Sequence, residues 1–426
     1  MMNAMYYDRQ RRRRSSLRRV VLLLILIGVG IFIIANQNEL RQQLIPPPTP
    51  TATRTARSYV VEAEALQEAG NIDGAINSYI QAISLEPENV DVLITMAQLM
   101  ALDDRTEEAV QRAEQAVQLA PKNVKAQAVL TMAYDWHASW LQQHGRDLEA
   151  KPNYDKALTI GKTAVALDPT YPESYAYLAE TYADLNDWEN AADYAQQAVD
   201  LNPNRVDVQR ALGYVRESQG NYSGAAEAYE KAIQLSPRLA YLYLALGRNY
   251  RVLASVRDAA YWPKAIETFT KATQIDPAFV TAYDELGWTY YSMEDYKQAQ
   301  KILEKAIEVD PESWSARSHL AATYFARRNY EDSTVTYKKA IELMNQAFDA
   351  DHYCVTASSQ SCNRLVVAYS TMGWAYCFLG QYQNEALPAF RRALIIRPDD
   401  AGVKATMDLC HAVLGTPVPK TPTPRP

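Results

Sequence analysis

Residues 175–203 read YAYLAETYADLNDWENAADYAQQAVDLNP, and this stretch decides the fold. It holds one run around Tyr175, Leu178, Ala179 and Tyr182, then Trp188 after a turn, then a second run around Ala191, Tyr194, Ala195 and Ala198. Pro203 closes it, at a helix end where a missing backbone N–H costs least. Alanine stands where two helices would touch, and bulky residues fill the gaps beside it.

Copies of the stretch extend in both directions. Pro87 and Pro121 are 34 residues apart, as are Pro169 and Pro203, Pro203 and Pro237, and Pro277 and Pro311. The segments before the prolines are alike: AISLEP, AVQLAP, AVALDP, AVDLNP, AIQLSP, ATQIDP, AIEVDP and ALIIRP. Self-similarity at this period is the mark of a repeated helical hairpin. Residue by residue the chain resembles the tetratricopeptide repeat family. The resemblance implies an all-α, right-handed superhelical solenoid of antiparallel helix pairs. Ala63, Ala97, Ala179, Gly213, Gly247, Gly287, Ala321 and Gly373 recur at one helix contact. Ala75, Ala109, Ala157, Ala191, Ala225, Ala265, Ala299 and Ala386 recur at the other.

Nine repeats fit into residues 56–400, with extra sequence near Ala138–Lys151, near Leu253–Tyr261 and mostly between Gln346 and Leu365. Asn345 replaces a closing proline, Ser333 replaces an alanine, and Pro388 falls inside a predicted helix that it should kink. Residues 401–415 read as a capping helix with a polar outer face. Residues 416–426 are Pro/Thr-rich and expected to be disordered.

The N-terminus carries its own signal. Residues 1–19 hold seven arginines against a single acid, Asp8, while the whole chain has a net charge of −7. An acidic body argues against a nucleic-acid partner. Val20 to Ala35 (VVLLLILIGVGIFIIA) is 16 residues without a charge. That length rises about 24 Å, slightly short of a roughly 30 Å hydrocarbon core, and Arg19 can snorkel at one end. Residues 20–35 are therefore expected to be an uncleaved transmembrane anchor. Residues 1–19 are then a cytoplasmic tail and the repeats extracytoplasmic. A cleaved signal peptide and a twin-arginine signal around Arg18-Arg19 are the alternatives. Residues 36–55 follow as a Pro/Thr-rich spacer.

In the tetratricopeptide family the first helices of successive repeats line a concave groove for partner segments. The groove positions of the first four repeats hold mostly small, polar or acidic residues, such as Glu64, Gln98, Glu180 and Asp184. Later repeats place Arg210, Tyr214, Tyr241, Arg248, Arg251, Trp288, Tyr291, Phe325, Trp374 and Phe378 there. Aromatics and arginines are enriched in binding hot spots, so these ten form the expected partner-binding surface. Against that reading, some of these aromatics can pack laterally on neighbouring helices. Tyr182, Tyr250, Tyr290 and Tyr324 recur at a core position and need no ligand. A clamp for acidic C-termini would need asparagine at the ninth repeat position. That position holds Glu64, Gln98, Met132, Glu180, Tyr214, Arg248, Trp288, Ala322 and Trp374.

Cys354 and Cys362 share the longest insertion and are disulfide candidates in an exported chain. Cys377 and Cys410 fall on adjacent helices and read first as buried free thiols, with a bridge as the alternative. His137 and His144, near Asp135 and Asp147, match no metal-ligand spacing and read as solvated loop residues. No phosphate loop, dinucleotide fingerprint, nucleophile elbow or H-E-x-x-H motif is present. The expectation is a single-pass scaffold, without cofactor or metal, that binds proteins or peptides in envelope assembly, secretion or chaperoning. A self-assembling homo-oligomeric role and an enzyme are the competing classes.

Overall fold

The computed structural model describes residues 17–36, 54–354 and 360–414. They fall into two units, one up to Arg54 and one from Thr55 onward.

The first unit's described part is a helix, Leu17–Ala35. Its apolar side chains are exposed, from Val20 at 49% to Ile34 at 72%. Among the described residues no helix is long and apolar enough to cross a membrane. The expected span therefore lacks structural support, because 16 uncharged residues rise only about 24 Å. The tail before Leu17, most of the spacer and the terminal Pro/Thr segment lie outside the described residues.

The second unit is a stack of helix pairs, called A and B here. Repeats 1 and 2 are Ala56–Glu68 with Ile72–Leu85 and Val90–Leu102 with Thr106–Leu119. Repeats 3 to 5 are Val124–Gln143 with Asp147–Leu167, Pro172–Asp184 with Trp188–Leu201, and Val206–Ser218 with Tyr222–Leu235. Repeats 6 and 7 are Ala240–Val256 with Tyr261–Ile275 and Val280–Ser292 with Tyr296–Val309. Repeat 8 pairs Trp314–Ala326 with Tyr330–Phe348, and repeat 9 starts with Gln360–Phe378. The final helix, Ala401–Leu414, packs on repeat 9 as a cap.

Local chemistry starts and stops these helices at the same repeat positions. Asn71, Asp187, Asn221, Asp295 and Asn329 each accept a hydrogen bond from a backbone N–H at the start of a B helix, satisfying an orphan donor. Gln127, Gln209, Tyr243 and Arg317 each reach back six residues to the carbonyl of a closing proline. Side chains of three kinds thus do one job, set by their place in the repeat.

Packing between A and B helices follows volume. A Cβ on Gly247 would lie 2.6 Å from Phe269, and one on Gly287 would lie 2.5 Å from Leu303. Both opposing side chains are fully buried. In repeat 3 the roles are exchanged: Gly161 on the B helix faces Thr131 on the A helix. Burying a side chain such as Phe269 contributes about 2–3 kcal/mol. A added methyl at the facing glycine would force it to shift.

Three expectations need correction. The extra residues near Ala138–Lys151 do not loop out. Both helices of repeat 3 lengthen, to 20 and 21 residues, around a short turn. His137 and His144 are consequently half-buried on or at the end of a helix, not solvated in a loop. Cys377 and Cys410 are not free thiols; they form a disulfide, with Cα atoms 5.9 Å apart, tying repeat 9 to the cap. Pro388 produces a π-helical turn at Tyr382–Ala386 ahead of Leu387–Ile396. There Ala386 N–H donates five residues back to Gln381, which suits a chain whose next proline has no N–H to give. Cys354 and Cys362 lie with their Cα atoms 5.1 Å apart, joined by a second disulfide. Without a proline at Asn345, the repeat 8 B helix runs on to Phe348.

Candidate functional site

The A helices of repeats 2 to 5, and again those of repeats 6 to 9, touch one another in succession, which puts them on the short inner circumference. The solenoid is wound tightly enough to meet itself. Arg238 donates to the carbonyl of Glu68, 170 positions earlier, and the Gly70 turn lies against the backbone of Arg238 and Ile275. Further along, Arg146 in repeat 3 sits 5.7 Å from the ring centre of Tyr353.

This winding encloses a pocket of about 330 Å³ on the inner face. Its walls come from repeats 2 to 7, so Leu102 and Asp104 stand across from Arg248 and Thr281. Four carboxyl groups line it (Asp104, Asp135, Glu180 and Asp184) against two guanidinium groups, Arg210 and Arg248. Trp136, Trp140, Tyr214 and Tyr241 supply ring surface.

The guanidinium groups are committed. Arg210 is buried and donates to Glu180 Oε2 at 3.0 Å, with Glu180 Oε1 in ion-pair contact at 2.7 Å and Asp207 at 3.7 Å. It also lies 4.8 Å from the Trp136 ring centre, so ion pairing and a cation–π contact act together. Arg248 and Arg251 converge on Glu285 at 2.7 and 2.8 Å. Burial opposes ionisation of Glu285, but the two arginines outweigh it and hold the carboxyl below its usual range.

The remaining carboxyls are less well served. Among the described residues Asp104, Asp135 and Asp184 have no salt bridge. Asp135 is 1% exposed and its Oδ1 has no hydrogen-bond partner. Burial, then the charges of Asp184 and Glu180, push its carboxyl well above the usual range. Asp184 accepts a hydrogen bond from the Tyr214 hydroxyl, yet burial and the Glu180 charge still raise it to about 7. Asp104, in the left-handed region at φ 58°, is raised by burial against the opposing charges of Arg248 and His144.

The second-half aromatics form two clusters. Trp288 stacks between Tyr291 (4.5 Å) and His319 (4.3 Å). His319 Nδ1 lies 2.6 Å from Asp284 Oδ1, and the Ser315 hydroxyl donates to Oδ2 at 2.6 Å. Burial opposes ionisation of Asp284, but His319 and Ser315 outweigh it and the carboxyl is held low. In the other cluster Phe378 stacks on Tyr330 at 4.4 Å, with Phe325 and Trp374 against it. Phe378 is 54% exposed and offers the most open ring of the ten expected residues.

The structure thus divides the expected surface. Arg210, Tyr214, Tyr241 and Arg248 converge on the inner pocket, with Arg251 beside it. Trp288, Tyr291, Phe325, Trp374 and Phe378 pack mainly on one another along repeats 7 to 9. Sequence reasoning missed Asp104, Asp135, Trp136, Trp140 and Glu285. A signal existed: Tyr214–Asp184 and Arg210–Glu180 are 30 apart, and Arg248–Glu285 are 37 apart, close to one period.

Comparison with known proteins bears on these helices. Residues 66–133, 177–240, 280–313 and 315–353 each match a tetratricopeptide repeat model. The peroxisomal targeting signal receptor of Saccharomyces cerevisiae is 19% identical over 253 residues, 57% of this chain and 38% of that protein. The Hsp70-Hsp90 organizing protein of Triticum aestivum is 23% identical over 256 residues, 55% of this chain and 39% of that protein. The human protein O-mannosyl-transferase TMTC1 is 26% identical over 172 residues, 39% of this chain and 18% of that protein. The chain therefore spans less than half the length of these curated relatives. Among solved structures, the human IFIT1 dimer with PPP-AAAA has a TM-score of 0.51 at 18% identity, covering 81% of this chain and 84% of that one. That likeness is one of fold. The repeat pattern, the helix pairing and the four matching stretches together make this chain a member of the tetratricopeptide repeat family.

Proposed function

We propose that this chain is a membrane-tethered, extracytoplasmic scaffold that holds a polypeptide segment of a partner on the inner face of its solenoid, and that it is not an enzyme. The observation that carries the reading is the inner pocket, together with two clusters of half-exposed aromatic side chains on later repeats. Such a face can take an extended chain, with rings for apolar contacts and fixed polar groups for register. Two relatives are named as a targeting signal receptor and an organizing protein, which agrees with a binding role. The match to a named transferase covers 18% of that enzyme and brings no catalytic assignment with it. Four carboxyls around this pocket disfavour a phosphorylated ligand.

Tethering is supported by the exposed apolar side chains of Leu17–Ala35. Arg18 and Arg19 would snorkel to make up the short span. Two disulfides support an oxidising compartment for the repeats.

The test is cross-linking in cells that make the full chain, comparing wild type with Trp288→Ala, Trp374→Ala and Phe378→Ala combined, at unchanged helicity. A partner captured by wild type and lost in the variant supports the inner face. A partner equally captured by both moves binding elsewhere, and none captured by wild type removes the scaffold reading. Ile27→Arg separately tests the tether: the chain should leave the membrane fraction.

A further inference from the structure

The inner pocket has an unusual charge balance. Arg210 and Arg248 are paired with Glu180 and Glu285. This leaves Asp104, Asp135 and Asp184 lining the cavity without a salt bridge among the described residues, although the charges of Arg248 and His144 bear on Asp104 and that of Arg210 on Asp135. Asp135 Oδ1 is buried and lacks any hydrogen-bond partner, which is costly for an acceptor unless something else reaches it. Five aromatic residues line the same space, a lining suited to a cation's apolar stem and charged head.

We propose that this pocket is a receptor for a basic side chain, an arginine or lysine of the bound polypeptide. It deepens the scaffold reading and rests on it. The protein already shows how such a group is held: Arg210 lies on the Trp136 face with its guanidinium on Glu180. A second guanidinium or ammonium group, seated between Asp135 and Asp184, would satisfy the unpartnered Asp135 oxygen. It would also offset the burial of both carboxyls. The volume of about 330 Å³ lies at the small end of ligand sites and suits one long side chain. The net charge of −7 on the chain favours approach of a basic segment.

The test uses the full chain in detergent and three probes: an acetylated, amidated Gly-Ser-Arg-Ser-Gly peptide, its citrulline twin, and agmatine. Binding is read by calorimetry and by the fluorescence of Trp136 and Trp140. The arginine peptide should bind, and the neutral citrulline twin should bind at least about tenfold more weakly. Asp135→Asn with Asp184→Asn should cost a similar factor at unchanged circular dichroism. If that pair fails to fold, Asp104→Asn replaces it, with the same direction expected. Equal binding of the citrulline peptide, no saturable binding up to about 10 mM, or an unaffected variant would each overturn the proposal. Agmatine binding without peptide binding would overturn the polypeptide source. The scaffold reading fails separately: it stands if the Asp135→Asn, Asp184→Asn chain loses basic probes while still capturing its partner in cells through the aromatic clusters.

Discussion

Arg238 donates a hydrogen bond from Nη1 to the main-chain carbonyl of Glu68 at 3.2 Å, across 170 positions of sequence. The contact joins the entry to the sixth repeat with the first, so the inner face becomes a walled pocket. Side chains from repeats 2 and 7 meet there only because the winding closes.

Closure can be probed at Gly70, which has φ 86° and would set a Cβ 3.2 Å from Arg238 O and Ile275 Cγ2. Gly220 has φ 77° with nothing within 4 Å. Gly220→Ala is expected to cost about 1 kcal/mol from backbone strain alone. Gly70→Ala should cost clearly more, read by urea unfolding. Equal losses would mean the two ends do not press together in solution.

The Arg210–Glu180 pair is buried on both sides, with side chains 8% and 1% exposed. Glu180→Gln leaves a buried guanidinium with Asp207 as its remaining salt-bridge partner, and the expected loss is about 3–5 kcal/mol. Replacing both partners by leucine should cost far less. A small loss for the single change would show that Arg210 relaxes to solvent.

Asp184 gives a pH signature. Its folded carboxyl is raised to about 7, so between about pH 4 and about pH 7 the native state holds a proton that the unfolded chain has lost. Its contribution is complete below the unfolded value and is lost as pH rises through that window. The melting temperature of wild type should therefore fall more steeply from about pH 5 to about pH 8 than that of Asp184→Asn. Parallel curves would refute the assignment. Asp284 and Glu285, held low, act oppositely: their contribution disappears below about pH 4.

The Cys377–Cys410 bridge anchors the cap over the last repeat. Cys410→Ser is expected to lower stability by about 2–4 kcal/mol. Hydrogen exchange should speed up in Ala401–Leu414 first. Unchanged protection there would show that packing of Val403 and its neighbours alone holds the cap.

Much of the fold was legible from local pattern. The alternation of small and bulky residues at Gly247 and Phe269, the closing prolines and the capping asparagines each act within one repeat. The insertion at Ala138–Lys151 misled because extra residues can lengthen two helices as readily as form a loop. Asp135 and Trp140 then reach the pocket from the lengthened A helix of repeat 3. For the candidate site, the arginines were visible but their commitments were not.

The amino-acid sequence alone thus settled that the chain is a row of helical hairpins, since helix periodicity and helix ends depend on residues within about one period. Which charges are paired, and that Asp135 is buried without a partner, was decided by the winding of the solenoid. Small rotations between neighbouring repeats add up over five of them, and no local pattern encodes that sum. Leu102 and Arg248 line one pocket, and Glu68 meets Arg238, only where the accumulated rotation brings them together.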